Sequence, residues 1–392
     1  SLTGAAGTGK SSLIRAVARH LPDAAYTATT GKAALRLREC LGGRATSTLH
    51  SVLYYPPEPG RDIRFERVRC AEVSTFVVDE ASLVTPAVYR DLGTWADDGV
   101  RILLVGDPYQ LPPVVTDRKE IEQYGEDFSV FSRVHGPELG EVMRSVGGVL
   151  RAATRVRESG QMPRASDLDS DGGGYAYHEV SDPTGYACDT WLDDPEDHLL
   201  ISWRNDARMN ANARIREALG HSGSLPDPGE PILVRKNGAG FLNGEVVICD
   251  GWEVGPVLGE NKKLGLAGLP TLWFDVRDRG RLLAALNLVC GEGVFDGSMP
   301  YVEDWKAYWI DIRSKNLYPP IPVTWGYCNT VHGAQGGEGR RATVFLERGD
   351  EWSNNFNKST TLPSGAVVGF ASRWGYTALT RAKWRAEFIT AA

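Results

Sequence analysis

The residues best placed to do chemistry stand almost at the start of the chain. Gly4-Ala5-Ala6-Gly7-Thr8-Gly9-Lys10-Ser11 satisfies the spacing G-x-x-x-x-G-K-[ST] without a mismatch. Glycines so placed let successive backbone N–H groups converge on one anion, and a helix beginning directly behind them adds the positive end of its dipole. An apolar run suited to that helix follows at Leu13, Ile14, Val17 and Ala18. Gly4, Ala6, Gly7, Thr8, Gly9 and Ser12 are therefore expected to line the phosphates of a nucleoside triphosphate. Lys10 would reach the β- and γ-phosphates, and the Ser11 hydroxyl would ligate Mg²⁺.

Two further segments have the form of strands that end in reactive side chains. Thr75-Phe76-Val77-Val78-Asp79-Glu80 is an apolar run closing on two carboxylates. In phosphoryl transfer the first can hold Mg²⁺ and the second can polarise the attacking water. Alone the pair says little; in one parallel sheet with a phosphate loop it becomes a strong signal. Leu103-Leu104-Val105-Gly106-Asp107-Pro108-Tyr109-Gln110-Leu111-Pro112-Pro113 is a strand with a proline-braced exit. The Gln110 amide there can meet a γ-phosphate or the attacking water, so this loop can report whether the triphosphate is intact.

These side chains need a scaffold that delivers them to one place. Strands are expected at 25–29, 75–78 and 101–105, alternating with helices after Gly9, Gly31 and Pro86. That alternation implies a parallel sheet covered on both faces, with ligands at the carboxyl ends of the strands. Residues 52–74 interrupt it as a small insertion. A second α/β pattern begins near Leu139, with a helix over 149–157, a strand over 198–203 and a helix over 205–219. From about residue 228, Pro, Gly and short strands at 232–235, 245–249 and 271–276 read as a compact β module. The α/β pattern resumes near Trp325, with a strand at 342–346 and a closing helix-strand unit over 372–390. Segments 169–174 and 350–365 are the most loop-like.

Composition narrows the class. The chain has 392 residues, of which 42% are hydrophobic and 24% charged, enough for two or three packed domains. No apolar run approaches the ~18 residues of a membrane span, and no signal peptide is visible. Six cysteines without a C-x-x-C pair suggest neither zinc nor a disulfide framework. A net charge of −7 argues against coating nucleic acid by bulk positive potential, so any such contact must be local. The expectation is a cytoplasmic protein of a bacterial or phage-infected cell. The chain opens at Ser1 without an initiator Met, which points to a longer natural chain.

In order, the motifs resemble those of the superfamily 1 helicases, in the subgroup containing RecD and phage Dda. Gly4 to Ser11 resembles motif I, Tyr26 to Leu37 motif Ia, Thr48-Leu49-His50 motif Ib, Val77 to Ser82 motif II and Val105 to Pro113 motif III. Glu141 to Ser145 resembles motif IV, Asn329 to Glu338 motif V and Tyr376 to Lys383 motif VI. The resemblance implies an α/β fold of two RecA-like P-loop domains, with a small hairpin insertion in the first and an SH3-like β-barrel inserted in the second. The implied boundaries are 1–136 for domain 1A, with 52–74 as the pin insertion, 137–228 with 323–392 for domain 2A, and 229–322 for the barrel.

The resemblance further implies an ATP- and Mg²⁺-dependent DNA helicase moving 5′-to-3′ on single strands and acting at duplex junctions, expected to be a monomer with no membrane role. Arg144 and Arg381 would approach the γ-phosphate from across the cleft, where such a finger typically contributes ~10³ to 10⁵ in rate. Glu338 would hold the ribose. DNA contacts would fall on Thr30, Lys32, Thr48 and His50 in the first domain and on Thr330 and His332 in the second; such hydroxyls and imidazoles grip phosphates without much net charge. Phe65 falls where a Dda-like pin carries an aromatic. Singly, each of these residues is better read as a cap or turn residue. Trp305 and Trp309, at i and i+4, read as core, and no tryptophan is assigned to DNA. Three departures stand out: Thr29 replaces a usual Pro, Gly333 replaces a usual Lys, and the glutamine-bearing adenine segment expected ahead of motif I is not among these residues. The competing readings are a P-loop ATPase switch that separates no strands and a catalytically impaired nucleic-acid-binding fragment.

Overall fold

The computed structural model describes residues 1–54, 73–115, 117–125, 128–141, 147–159, 161–285, 302–347, 359–361, 365 and 367–392. The first sheet is assembled from β1 (Leu2–Gly4), β2 (Ala24–Ala28), β3 (Thr46–Thr48), β4 (Thr75–Asp79), β5 (Arg101–Gly106) and β6 (Glu138–Leu139). Its order is β3-β2-β4-β5-β1-β6, and every pairing is parallel. All five residues of β4 are buried, as expected of a central parallel strand covered on both faces. The connecting helices are α1 (Lys10–Ala18), α2 (Gly31–Cys40), α3 (Leu49–Leu53), α4 (Pro86–Asp97) and α5 (Arg118–Tyr124). Local sequence starts them: Thr30 caps α2 through Ala33 N, and Thr85 caps α4 with Pro86 at its first turn. Glu138 and Leu139 pair with β1, two residues beyond the expected boundary at 136.

Next come α6 (Gly148–Ser159), β7 (Asp167–Leu168), β8 (Gly174–Val180), α7 (Pro183–Asp193), β9 (His198–Ser202) and α8 (Asn205–Ala218). Then β10 (Pro231–Val234), β11 (Val246–Val254), β12 (Thr271–Val276), β13 (Gly280–Ala285) and β14 (Ile321–Trp325) close into a barrel, with α9 (Trp305–Ser314) between the last two strands. The pairings are antiparallel except β13 with β14. The barrel thus takes in β14 and runs past the expected limit at 322. The chain finishes with β15 (Cys328–Thr330), α10 (Val331–Ala334), β16 (Gly339–Leu346), the hairpin strands β17 (Ser359–Thr361) and β18 (Val367–Gly369), α11 (Phe370–Leu379) and β19 (Ala382–Ala391). The second large sheet has the order β15-β9-β16-β19-β8-β7. Its core is built from α6, α11 and the sheet around the fully buried Trp374.

The described chain divides into two compact units. One contains residues 1–54, the described part of 67–207 and residues 329–392, so both large sheets lie in it; the other is residues 208–328. In the second unit the buried Arg216 and Glu230 side chains pair at 2.7 and 3.0 Å, and the Tyr327 hydroxyl donates to Glu230 at 2.9 Å. One expectation fails here. Helix α9 buries Tyr308 and Ile312, whereas Trp305 is 46% exposed and Trp309 only partly covered. A helix has several i, i+4 pairs, and the apolar face that wins is the one centred on 308 and 312. The insertion expected at 52–74 falls largely on 55–72, outside the described residues.

Candidate functional site

Strand β1 delivers Gly4 to the turn that precedes α1. Gly7 and Gly9 take positive φ, at 80° and 84°, and Gly9 forms the helix N-cap. A side chain at Gly4 has no room, since an added Cβ would stand 2.6 Å from Thr8 Oγ1. The Thr8 hydroxyl in turn donates to the Ala5 carbonyl at 2.9 Å. Lys10 folds back over the loop, donating to the carbonyls of Gly4 and Ala5 at 2.9 and 2.8 Å. Its ammonium is thereby held above the turn whose amides would meet an anion.

A cavity of about 380 Å³ opens on this loop. From the first sheet it is lined by Ala6, Gly7, Gly9, Lys10, Ser11, Ser12, Asp79, Glu80 and Gln110, and from the second by Gly336, Glu338 and Arg381. Seven of the nine residues expected to bind the nucleotide therefore share one space with the β4 carboxylates, Gln110 and Arg381. Gly4 and Thr8 shape the loop from beneath. Asp79 is buried at the end of β4, and its pKa is pushed up to about 6, by burial first and by the neighbouring Glu80 second, against the pull of Lys10 and Arg36. A buried carboxylate beside a serine hydroxyl in a phosphate cavity fits a divalent cation, which would hold that carboxylate ionised.

Glu80 follows in the left-handed region, at φ 52°, uncommon for a side chain of this kind. That backbone is braced from β2: the Thr29 hydroxyl donates to the Glu80 carbonyl at 2.8 Å. The residue that departs from the usual Pro is thus the one that holds the acidic turn. Gln110 is buried, and its Oε1 has no hydrogen-bond partner in the structure. An amide oriented without a protein partner for its oxygen, facing a phosphate cavity, is poised for a ligand or water. Arg381 is also buried; it donates to the Thr377 and Gly337 carbonyls at 3.0 and 3.1 Å, and burial draws its pKa down while Glu80 opposes that. It stays a cation at any ordinary pH. Arg144 lies outside the described residues.

Two residues of this cavity escaped the sequence reading. Arg36, from α2, pairs with Glu338 at 2.6 Å and so links the motif Ia helix to motif V. Cys40, one turn further along, donates its thiol to the Ser11 carbonyl at 3.4 Å. Arg36 falls inside the motif Ia span without a role of its own there, and Cys40 lies beyond it; only the helical i, i+4 spacing from Lys32 to Arg36 and from Arg36 to Cys40 was available as a signal. A second cavity, about 440 Å³, meets the other side of Ala5, Ala6 and Gly7 and is walled by Leu139, Val149 and Ala153.

The expected DNA residues are dispersed by environment. Thr30 and Thr330 both act as helix N-caps, accepting from Ala33 N at 3.2 Å and Gly333 N at 3.3 Å. Motif V comes close to the first of these: a Cβ on Gly336 would meet Thr30 Oγ1 at 3.0 Å, and one on Gly337 would lie 3.6 Å from Lys32 Nζ. Thr48 is buried, its hydroxyl 3.2 Å from Ser51 Oγ, whereas His50 is exposed with its ring 5.5 Å from that of Tyr54. His332 is largely enclosed, and burial lowers its pKa, which favours the neutral imidazole. Phe65 lies outside the described residues. At Gly333, where the resemblance leads one to expect lysine, an added Cβ would stand 2.2 Å from Asn329 Oδ1, so a side chain there requires the Asn329 amide to shift.

Two α/β sheets that share a phosphate-loop cavity, together with a five-stranded barrel, make up a fold that resembles solved Pif1 structures. Comparison with known proteins finds similarity to an AAA domain family and to several DNA helicases. Residues 1–174 match the AAA domain family model. The chain is 41% identical over 117 residues to the ATP-dependent RecD2 DNA helicase of Deinococcus radiodurans, covering 29% of this chain and 16% of that protein. It is 32% identical over 139 residues to the RecBCD enzyme subunit RecD of Mycolicibacterium smegmatis, covering 29% and 25%. The matched stretches thus span a quarter or less of those relatives. Among solved structures, Bacteroides Pif1 bound to ssDNA superposes with a TM-score of 0.54 at 17% identity, covering 100% of this chain and 88% of that one. Candida albicans Pif1 gives 0.51 at 17% identity, covering 99% and 89%.

Proposed function

We propose that the chain is an ATP-dependent DNA helicase that moves 5′-to-3′ along single-stranded DNA and opens duplex junctions. The observation that carries this reading is the shared cavity. Lys10, Ser11, Asp79, Glu80 and Gln110 reach it from one sheet, and Arg381 and Glu338 reach it from the other. Hydrolysis at such a place changes the charge that both sheets face, so nucleotide state can alter their closure.

The roles follow from chemistry. Lys10 and the loop amides bind the β- and γ-phosphates, Glu80 takes a proton from the attacking water, Gln110 orients that water, and Arg381 stabilises charge on the transferring phosphoryl group. Ser11 and Asp79 would hold Mg²⁺, which when bound neutralises charge on the β- and γ-phosphates. Glu338, released from Arg36, would meet the ribose, and the apolar wall at Leu139, Val149 and Ala153 would face the base. Arg144 is assigned a second γ-phosphate contact on resemblance alone. Thr30, Lys32, Thr48, His50, Thr330 and His332 are proposed to track the DNA backbone, Phe65 to brace the pin of the 52–74 insertion, and the barrel to act as an SH3-like accessory domain. The relatives' own substrates support the choice of DNA: one Pif1 neighbour is bound to ssDNA and another is described acting at forked dsDNA.

The test pairs ATPase assays with and without single-stranded DNA with unwinding of duplexes bearing a 5′ or a 3′ tail. Strong stimulation and unwinding from the 5′ tail alone are expected. Hydrolysis indifferent to DNA would point instead to a protein-remodelling ATPase, and unwinding only from a 3′ tail would refute the polarity.

A further inference from the structure

The hydroxyl of Tyr376 sits between two parts of the nucleotide machinery. It accepts from the Ala6 amide of the phosphate loop at 2.9 Å and donates to Asp107 Oδ2, at the end of β5, at 2.6 Å. Both side chains are buried. Burial and the adjacent Asp107 carboxylate raise the phenol's pKa well above its ordinary value, so it remains a donor at any working pH.

The tyrosine does not act by itself. Arg373, Tyr376 and Thr377 lie on one face of α11 and grip successive parts of the 107–111 loop. Arg373 donates to the Pro108 carbonyl at 2.8 Å, Tyr376 holds Asp107, and Thr377 Oγ1 accepts from Leu111 N at 3.0 Å. Leu111 itself is buried in the core cluster of the second sheet. Asp107 in turn fixes the loop that carries Gln110, accepting from Tyr109 N at 3.0 Å through its side chain and from Gln110 N at 3.1 Å through its carbonyl. At its far end the same helix leads into Arg381, whose Nε donates to the Thr377 carbonyl at 3.0 Å.

We infer that Tyr376 is a positioning residue that couples the phosphate loop to the Gln110 loop and to the Arg381 helix, so that nucleotide state at Ala6 reaches the second sheet through one phenolic hydroxyl. The inference rests on the helicase reading and deepens it. Any displacement of the Ala6 amide by an arriving phosphate must either carry the hydroxyl along or break a buried hydrogen bond. Breaking it would hand the amide to the phosphate and leave the buried phenolic oxygen without its donor, which is the costly alternative in a buried site. Loop and helix are therefore expected to move together.

Tyr376→Phe removes the hydroxyl and keeps the ring. The expected result is a fall of about tenfold in the ratio of DNA-stimulated to basal kcat for ATP, with the KM for ATP changed by less than about threefold. Asp107→Asn, which keeps the shape of the acceptor and removes its charge, should lower the same ratio. The double variant should lose little more than either single one, since both act on one link. Melting curves establish which variants are folded; should Y376F fail to fold, the ratio in D107N decides. A stimulated wild type together with an unchanged ratio in Y376F would overturn the coupling while leaving the helicase reading intact. So would equal losses with and without DNA, or fully multiplicative effects in the double variant. A wild type that hydrolyses ATP with no response to single strands would overturn the helicase reading, and this inference with it.

Discussion

The two walls of the nucleotide cavity are built by different means. The first sheet supplies its groups from the ends of its strands and the turns that follow: Lys10 at the start of α1 behind the β1 turn, Asp79 closing β4 with Glu80 next to it, and Gln110 in the loop after β5. Their positions depend on backbone geometry, seen in the positive φ of Gly7, Gly9 and Glu80. The second sheet supplies Glu338 and Arg381 as long side chains, held by salt-bridge or carbonyl partners at 2.6 to 3.1 Å. A wall of backbone turns fixes where phosphate and water sit, and a wall of tethered charges responds to them. Binding should belong mainly to the first wall and the response to hydrolysis mainly to the second.

This contrast can be broken by experiment. The largest effect is expected for Glu80→Gln and Arg381→Ala, each lowering kcat for ATP by about 10³ with nucleotide binding retained, whereas Lys10→Ala should lose binding as well. Steady-state kinetics alongside titration with a fluorescent nucleotide separates these cases. If R381A lost affinity as fully as K10A, the division of labour would be wrong. A smaller and graded effect should come from pH. The Asp79 carboxyl has its pKa raised to about 6, so it is protonated below that value and must release the proton to hold a cation. Apparent Mg²⁺ affinity should therefore weaken by about tenfold per pH unit as pH falls below about 6, and level off above it. Calorimetric titration with Mg²⁺ between pH 5 and pH 8 reads this directly.

Smaller still is the effect expected of Thr29→Val, which removes only the hydroxyl bracing the Glu80 carbonyl. About a threefold to tenfold loss of kcat with an unchanged KM is expected, because the general base keeps its chemistry and loses its aim. An equal loss in KM would mean the hydroxyl serves binding. In the other unit, Arg216→Ala tests stability alone: it strands the buried Glu230 and should cost about 3 to 5 kcal/mol in unfolding free energy. Chemical denaturation of the full chain measures it.

How far the sequence reveals this architecture depends on whether a feature is local. The phosphate loop, the β4 carboxylates and the Gln110 loop were legible because each is a short run whose spacing is set by its own backbone. Strand β8 and helix α7 were not, for both mix polar and apolar residues without a clean period: β8 reads GYAYHEV and α7 reads PTGYACDTWLD. Strand β14 was not anticipated, and the expected barrel limit at 322 cuts through it, since an entirely buried IPVTW carries no sign of which sheet accepts it. The partners of Tyr376 lie 269 and 370 residues away in sequence, so no pattern could announce them.

The crowding at Gly333 also constrains how this sequence can change. The Asn329 side chain bonds to Thr330 N at 2.8 Å and fills the space a Cβ at 333 would need. A lysine introduced there alone would collide with it, whereas a smaller residue at 329 would open the space first. The two positions are therefore expected to be coupled: the stability effects of Gly333→Lys and Asn329→Ala should not simply add. The room for a side chain in this turn is thus set by two residues together, Asn329 and Gly333.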